Sequence, residues 1–326
     1  MTFVRKFQEC LKNANQIAIF THKDSDHDTI CSALALKEIL SQLGKESTIF
    51  VDKLPSRGIL KFADDTTFLT SSDDIFDMGV SVDCSDIKRI NDENFKVFSN
   101  CKVTFNIDHH QDNTHFASYN YVKKGASSCA EVLYYLLKKY FKLNEKLAKF
   151  FYTGIYMDSG AFTYNSTTSK THKCISELLK YCPNVTKNFF VCFGIAGQEN
   201  FAITQRAFQS VRFFYNQEIA VSVLRKKDFE ECACGREDGK FIATYLQNVA
   251  GVKVAINISE DKNGEWRVSL RTSCDDVDVS KISHRFNGGG HKKAAGLTLK
   301  GELEKALNAL VCEAKRELKK WTDFLT

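Results

Sequence analysis

Strand-like and helix-like segments alternate through the first half of this chain, and the rhythm limits the folds open to it. Residues 17–21 read as a buried strand, after which Ala33, Leu36, Leu40 and Leu43 repeat at helical spacing. Residues 46–51, 80–84 and 103–107 read as further strands, and SSCAEVLYYLLKKYF as a helix with a broad apolar face. This βαβ order implies an α/β fold: a mostly parallel sheet with helices on its faces.

The pattern then changes. From Lys146 to Phe214 it is helical and poor in strands, with ELLKYC, VTKNFFVCFGIA and FAITQRAFQSVRFFY all reading as helix. Strands return at 219–224, 252–258 and 266–272, and the last 24 residues read as an amphipathic helix. A chain of 326 residues has room for two domains at about 150 residues each. We therefore expect a larger α/β domain over 1–185, a helical connector over 186–215 and a smaller α/β domain over 216–326.

Composition excludes some classes. The N-terminal MTFVRKFQECLKNANQ lacks the apolar core of a signal peptide, and no stretch approaches the ~20 apolar residues of a membrane span. The 12 cysteines are scattered through apolar segments without a C-x-x-C, which fits buried thiols in a reduced cytoplasmic protein better than a disulfide framework. Cys232 and Cys234 lie close but lack a second ligand pair for zinc. The net charge of +5 suits a polyanion without requiring one.

The segment FTHKDSDHDTICSALAL crowds His22, Asp24, Asp26, His27 and Asp28 between a strand and a helix. A calcium loop does not fit, because Thr29 and Ala35 occupy its glycine and bidentate-glutamate positions. Other predicted elements end in the same chemistry: GVSV in Asp83, VTFNI in Asp108-His109-His110, and the helical FFYTGIYM in Asp158-Ser159-Gly160. Doubly wound sheets gather ligands at the carboxyl ends of their strands. So many carboxylates at one rim would repel unless cations neutralised them, and oxygen with imidazole suits manganese, magnesium or a similar divalent ion.

His22-x-x-x-Asp26-x-Asp28, then Asp83, Asp108-His109-His110 and Asp158-Ser159-Gly160 together resemble the ordered motifs of the DHH phosphoesterases. Later, GGGHKKAAG over residues 288–296 resembles the signature of the DHH-associated C-terminal domain. Size and bare two-domain layout are most similar to the nanoRNase and pAp-phosphatase branch.

The resemblance implies two divalent ions, manganese first, with magnesium or cobalt admitted. His22, Asp26 and Asp83 would hold one; Asp28, Asp83, His109 and Asp158 would hold the other, with Asp83 bridging. Asp108 would orient His109 or His110, and His110 would face the substrate phosphate as donor or general acid. Asp24 and His27 fall outside the pattern. Ser25 and Cys84 depart from the family's proline and threonine without removing a ligand.

In the second domain, EWRVSLRTS alternates Trp266, Val268 and Leu270 with Arg267, Ser269 and Arg271. By resemblance Arg271 contacts substrate, and Gly288, Gly289 and Gly290 form a loop whose backbone N–H groups approach a phosphate beside His291. Ser128 has two readings, as the cap of a helix opened by Ser127-Ser128-x-x-Glu131 and as a residue lining the site.

The expected activity is hydrolysis of short oligoribonucleotides or dinucleotides, and of adenosine 3′,5′-bisphosphate. The expected partner is such a short RNA or mono- or dinucleotide, and no membrane; a homodimer is left open. A cyclic-dinucleotide phosphodiesterase and a catalytically dead nucleotide sensor are the alternatives.

Overall fold

The structure, a computed structural model, describes residues 2–55, 63, 66–185, 198–239, 241–261 and 263–322. The chain divides into two compact units, 1–195 and 196–326.

The first unit runs α1 (Phe3–Asn13), β1 (Ile17–Phe20), α2 (His27–Gln42), β2 (Ser47–Phe50), β3 (Phe68–Leu69), β4 (Met78–Val82), α3 (Asp92–Ser99), β5 (Val103–Asp108), β6 (Tyr119–Val122), α4 (Cys129–Leu137), α5 (Glu145–Asp158) and α6 (Ser169–Leu178). Its six strands form one sheet in the order β3-β2-β1-β4-β5-β6, every neighbouring pair parallel. The parallel sheet expected from the βαβ rhythm is present.

One face carries α1, α2, α4, α5 and α6. Their Phe7, Leu34, Leu36, Leu133, Phe151 and Leu178 pack over Ile19, Val80 and Phe105. The other face is closed by α3, whose Phe98 meets Phe20 edge-on at 5.2 Å while Phe20 stacks on Phe50 at 5.1 Å. α2 is buried from Asp28 to Leu36, as a helix covered by its neighbours must be.

The second unit runs α7 (Gln198–Gln209), β7 (Arg212–Phe214), β8 (Ile219–Leu224), α8 (Lys226–Glu231), α9 (Ile242–Leu246), β9 (Val254–Glu260), β10 (Trp266–Arg271), α10 (Val279–His284), β11 (Gly289–His291), β12 (Ala294–Leu299) and α11 (Leu303–Thr322). Its sheet has the order β11-β12-β10-β9-β8-β7, with β8–β9 parallel and the other pairs antiparallel. Trp266, Val268 and Leu270 point into a core with Leu307, Leu310 and Ala314 of α11, and Arg267, Ser269 and Arg271 are half-buried on the opposite face.

Several expectations change. Arg212–Phe214, read as helix, is a strand antiparallel to β8, because pairing with Ile219–Val221 wins over the helical spacing of its phenylalanines. KKYF lies beyond the end of α4 at Leu137. The helix read over 186–196, and with it the first part of the expected connector, lies outside the described residues.

Candidate metal centre

In a doubly wound sheet the crevice opens where the strand order reverses. Here that point lies between β1 and β4, whose Phe20 and Ser81 are paired. His22 follows β1 and Asp83 follows β4, so both side chains arrive at the switch point. Asp83 holds φ at +55°, a left-handed conformation that a non-glycine residue adopts at some cost and that recurs at functional sites.

Asp26 caps α2: its Oδ1 accepts from the backbone N–H of Thr29 at 3.0 Å. Within the first turn of that helix, Asp28 is buried, with Oδ2 accepting from the Cys129 N–H at 2.6 Å and Oδ1 from the Ala130 N–H at 3.1 Å. Those amides open α4, so that helix's unpaired N–H groups and positive end face the carboxylate. β5 ends in Asp108 and delivers His109 and His110; α5 ends in Asp158.

The expected ligands converge. His22, Asp26 and Asp83 form one cluster of donor atoms, and Asp28, His109 and Asp158 another. Asp83 joins them: Oδ2 lies 3.8 Å from His22 Nε2, and Oδ1 lies 3.3 Å from His109 Nε2, which is also 3.3 Å from Asp158 Oδ2.

Hydrogen bonding identifies the face each imidazole presents. His22 Nδ1 lies 2.6 Å from the Lys23 carbonyl and His109 Nδ1 3.1 Å from the Ala126 carbonyl. A carbonyl only accepts, so both Nδ1 atoms donate, and in the neutral rings both Nε2 atoms carry lone pairs aimed at carboxylates. Lone pairs facing lone pairs need a cation or a proton between them. The Oδ1 of Asp83 is buried and has no hydrogen-bond partner among the described residues. Metal-binding histidines are commonly anchored through their other nitrogen in this way, and the oxygen–imidazole donor set suits a hard or borderline divalent ion. The residues fit a metal.

The electrostatics show the same crowding. Burial pushes Asp28 well up from the ordinary carboxylate range, with the charge of Asp83 adding to it. Burial likewise raises Asp158, to about 7, against the pull of His109. Burial would also raise Asp83, but His109, with His110 and His22, holds it down at about 2. Burial opposes protonation of His109, yet the adjacent Asp83 and Asp158 push its pKa well up.

Asp108 is wholly buried and serves His110: its Oδ1 accepts from His110 Nδ1 at 2.7 Å. The sequence left His109 and His110 open as its partner; the structure selects His110. Asn113, which the sequence did not single out, donates to Asp108 Oδ2 at 2.6 Å and to the Cys84 carbonyl at 3.1 Å, tying the loop after β4 to the end of β5. Asp24 stands apart, exposed and paired with Lys53 at 2.8 Å. His27, also outside the pattern, is half-buried, and burial lowers its pKa.

Ser128 is a helix cap: fully buried, with its Oγ accepting from the Glu131 N–H at 3.0 Å. Glu131 returns its carboxylate to the N–H of Ser127 rather than of Ser128.

In the second unit, the expected glycine loop is a hairpin. Gly289–His291 is an edge strand paired with Ala294–Gly296, and Lys292-Lys293 makes its turn. A Cβ on Gly288 would collide with Ser283 Oγ and the Gly296 carbonyl, and one on Gly290 (φ +139°) with the backbone of Ala295. Packing within the sheet therefore demands glycine at both. A Cβ on Gly289 would meet open space. His291 is exposed, and Arg271, at the end of β10, pairs in register with Ala294 of that hairpin.

Comparison with known proteins accounts for both units. Residues 16–155 match the N-terminal domain of the DHH family, and residues 217–320 match the DHHA1 domain. The chain is a DHH-family protein with a DHHA1 domain. The bifunctional oligoribonuclease and PAP phosphatase NrnA of Bacillus subtilis is 28% identical over 87% of this chain and 89% of its own. Its Thermus thermophilus namesake is 28% identical over 92% and 89%. Among solved structures, an exopolyphosphatase-related protein from Bacteroides fragilis superposes with a TM-score of 0.89 at 20% identity, covering 96% of both chains, which shows a shared fold. Among the described residues, no helix is long and apolar enough to cross a membrane.

Proposed function

We propose that the chain is a phosphoester hydrolase that acts, with two divalent cations, on short oligoribonucleotides and on adenosine 3′,5′-bisphosphate. Manganese is the first choice of cation, followed by magnesium and cobalt. The observation that carries this reading is the place of Asp83, a buried carboxylate shared between the His22–Asp26 cluster and the Asp28–His109–Asp158 cluster. The names of the Bacillus and Thermus relatives support the substrate class.

When bound, such cations would lower the pKa of a water and neutralise charge on the phosphoryl oxygens. The chain's own residues do the rest. Asp83 spans the two clusters, and the α4 amides keep Asp28 oriented. Asp108 fixes the His110 ring through Nδ1, leaving Nε2 to deliver a proton to the departing alkoxide. Arg271 and the β11–β12 hairpin are assigned to gripping the nucleotide: a guanidinium matches phosphate geometry, and the outer edge of β11 offers backbone donors.

The test is a hydrolysis panel on purified protein. A diribonucleotide, a longer RNA, adenosine 3′,5′-bisphosphate, a cyclic dinucleotide and pyrophosphate would each be assayed with Mn2+, Mg2+ or EDTA. The reading requires Mn2+-dependent turnover of the diribonucleotide or the bisphosphate. Turnover of the cyclic dinucleotide alone would make the chain a cyclic-dinucleotide phosphodiesterase, and tight binding without turnover would make it a sensor.

A further inference from the structure

Thr29 is fully buried at the third position of α2, and its hydroxyl lies at the centre of the first ligand cluster. Oγ1 is 2.6 Å from Asp83 Oδ2, 2.7 Å from His22 Nε2 and 3.0 Å from Asp26 Oδ1. A hydroxyl has one proton to give. Asp83 and Asp26 can only accept when ionised, and Nε2 of the neutral His22 ring also accepts, because Nδ1 already donates to the Lys23 carbonyl. Three acceptors therefore surround a group that can donate to one of them; Asp26 Oδ1 also accepts from the Thr29 N–H, so His22 Nε2 and Asp83 Oδ2 compete for the hydroxyl proton.

A helix-capping role does not explain this arrangement. The cap at Asp26 is already made through the Thr29 backbone N–H. The hydroxyl is nearer to His22 and Asp83, from two other segments of chain, than to Asp26. A cation held jointly by the hydroxyl oxygen and the three acceptors would leave none of them facing an unsatisfied lone pair.

We propose that the Thr29 hydroxyl is a fourth protein ligand of the cation site formed by His22, Asp26 and Asp83. This rests on the metal-dependent reading above and extends it with a residue of this chain. The neutral oxygen adds a donor without adding charge to a site already rich in carboxylates, and its place in the first turn of α2, beside the Asp26 cap, keeps it near the other ligands.

The experiment is calorimetric titration of EDTA-stripped full-length protein with Mn2+, read as stoichiometry and affinity independently of turnover. Wild type should bind two ions. Thr29→Val keeps the shape and removes the oxygen; it should weaken one of the two sites by about tenfold or more, and Thr29→Ser should restore it. A Val variant that titrates like wild type overturns the proposal and leaves the metal-dependent reading standing. A wild-type protein that takes up no Mn2+ overturns both. If the Val variant does not fold, Thr29→Cys decides, because a coordinating thiol moves the site's preference from Mn2+ toward Cd2+. An unchanged Mn2+/Cd2+ preference would show that position 29 does not touch the ion.

Discussion

Gly288, Gly289 and Gly290 are indistinguishable in the sequence and serve different ends in the structure. The outer two permit close packing of β11 on its own sheet and on Ser283, while the middle one leaves its surroundings open. A glycine triplet signals close backbone approach without saying to what, so the expected phosphate loop and the observed hairpin share one sequence. The candidate metal ligands were more legible, because Asp and His at the ends of buried strands cost desolvation that packing alone does not return. Thr29 was not, since a threonine near a helix start reads as helix chemistry, and neither was Asn113, because an asparagine in a loop after a strand reads as turn chemistry. Arg271 can be tested at this scale. It lies in the second unit, away from every candidate metal ligand in sequence, so Arg271→Ala should raise KM for the nucleotide about tenfold or more while Mn2+ content stays unchanged. Steady-state kinetics with metal analysis on the same sample checks both halves.

At the scale of elements, β1, β4 and β5 were readable because their short runs rich in β-branched and aromatic residues (IAIF, MGVSV, VTFNI) stand between polar segments. β6 (YNYV) was not, being half-buried along its whole length at the sheet edge, and β3 is only two residues long. α3 escaped too, although Asn91 caps it by accepting from the Asn94 N–H. What positions the strands that carry the candidate ligands is partly electrostatic. Asp77, just before β4, accepts from the Asn15 and Gln16 N–H groups before β1 and from Lys102 before β5. The Lys102 hydrogen bond, followed by the two backbone amides, lowers its pKa from 3.8 to about 2. A folded pKa below the unfolded one stabilises the protein above pH ~4, and that contribution is lost as pH falls through the folded value. With its side chain 25% exposed, the effect is discounted for solvent screening. Asp77→Asn should cost about 1 kcal/mol at pH 7. The stabilities of variant and wild type should converge near pH 2, which denaturant melts across that range would read.

For the whole molecule, composition and rhythm anticipated two α/β units, because each must bury its own core and each carries its own apolar pattern. The division of the chain falls between Ile195 and Ala196, and α7 and β7 belong with the second unit. The expected connector ran into that unit because apolar helices and apolar edge strands look alike when short. On the proposed reading, metal-dependent hydrolysis by this chain would turn on Asp83, the carboxylate common to both ligand clusters. The most direct measurement is parallel Mn2+ titration and diribonucleotide hydrolysis of wild type and Asp83→Ala, with Mn2+ supplied in excess. Wild type should bind two ions and turn over in a Mn2+-dependent way, whereas the variant should bind poorly at both sites, with turnover down by about 10³-fold or more. An Asp83→Ala protein that keeps both ions and hydrolyses at the wild-type rate would refute a shared carboxylate at the heart of the site.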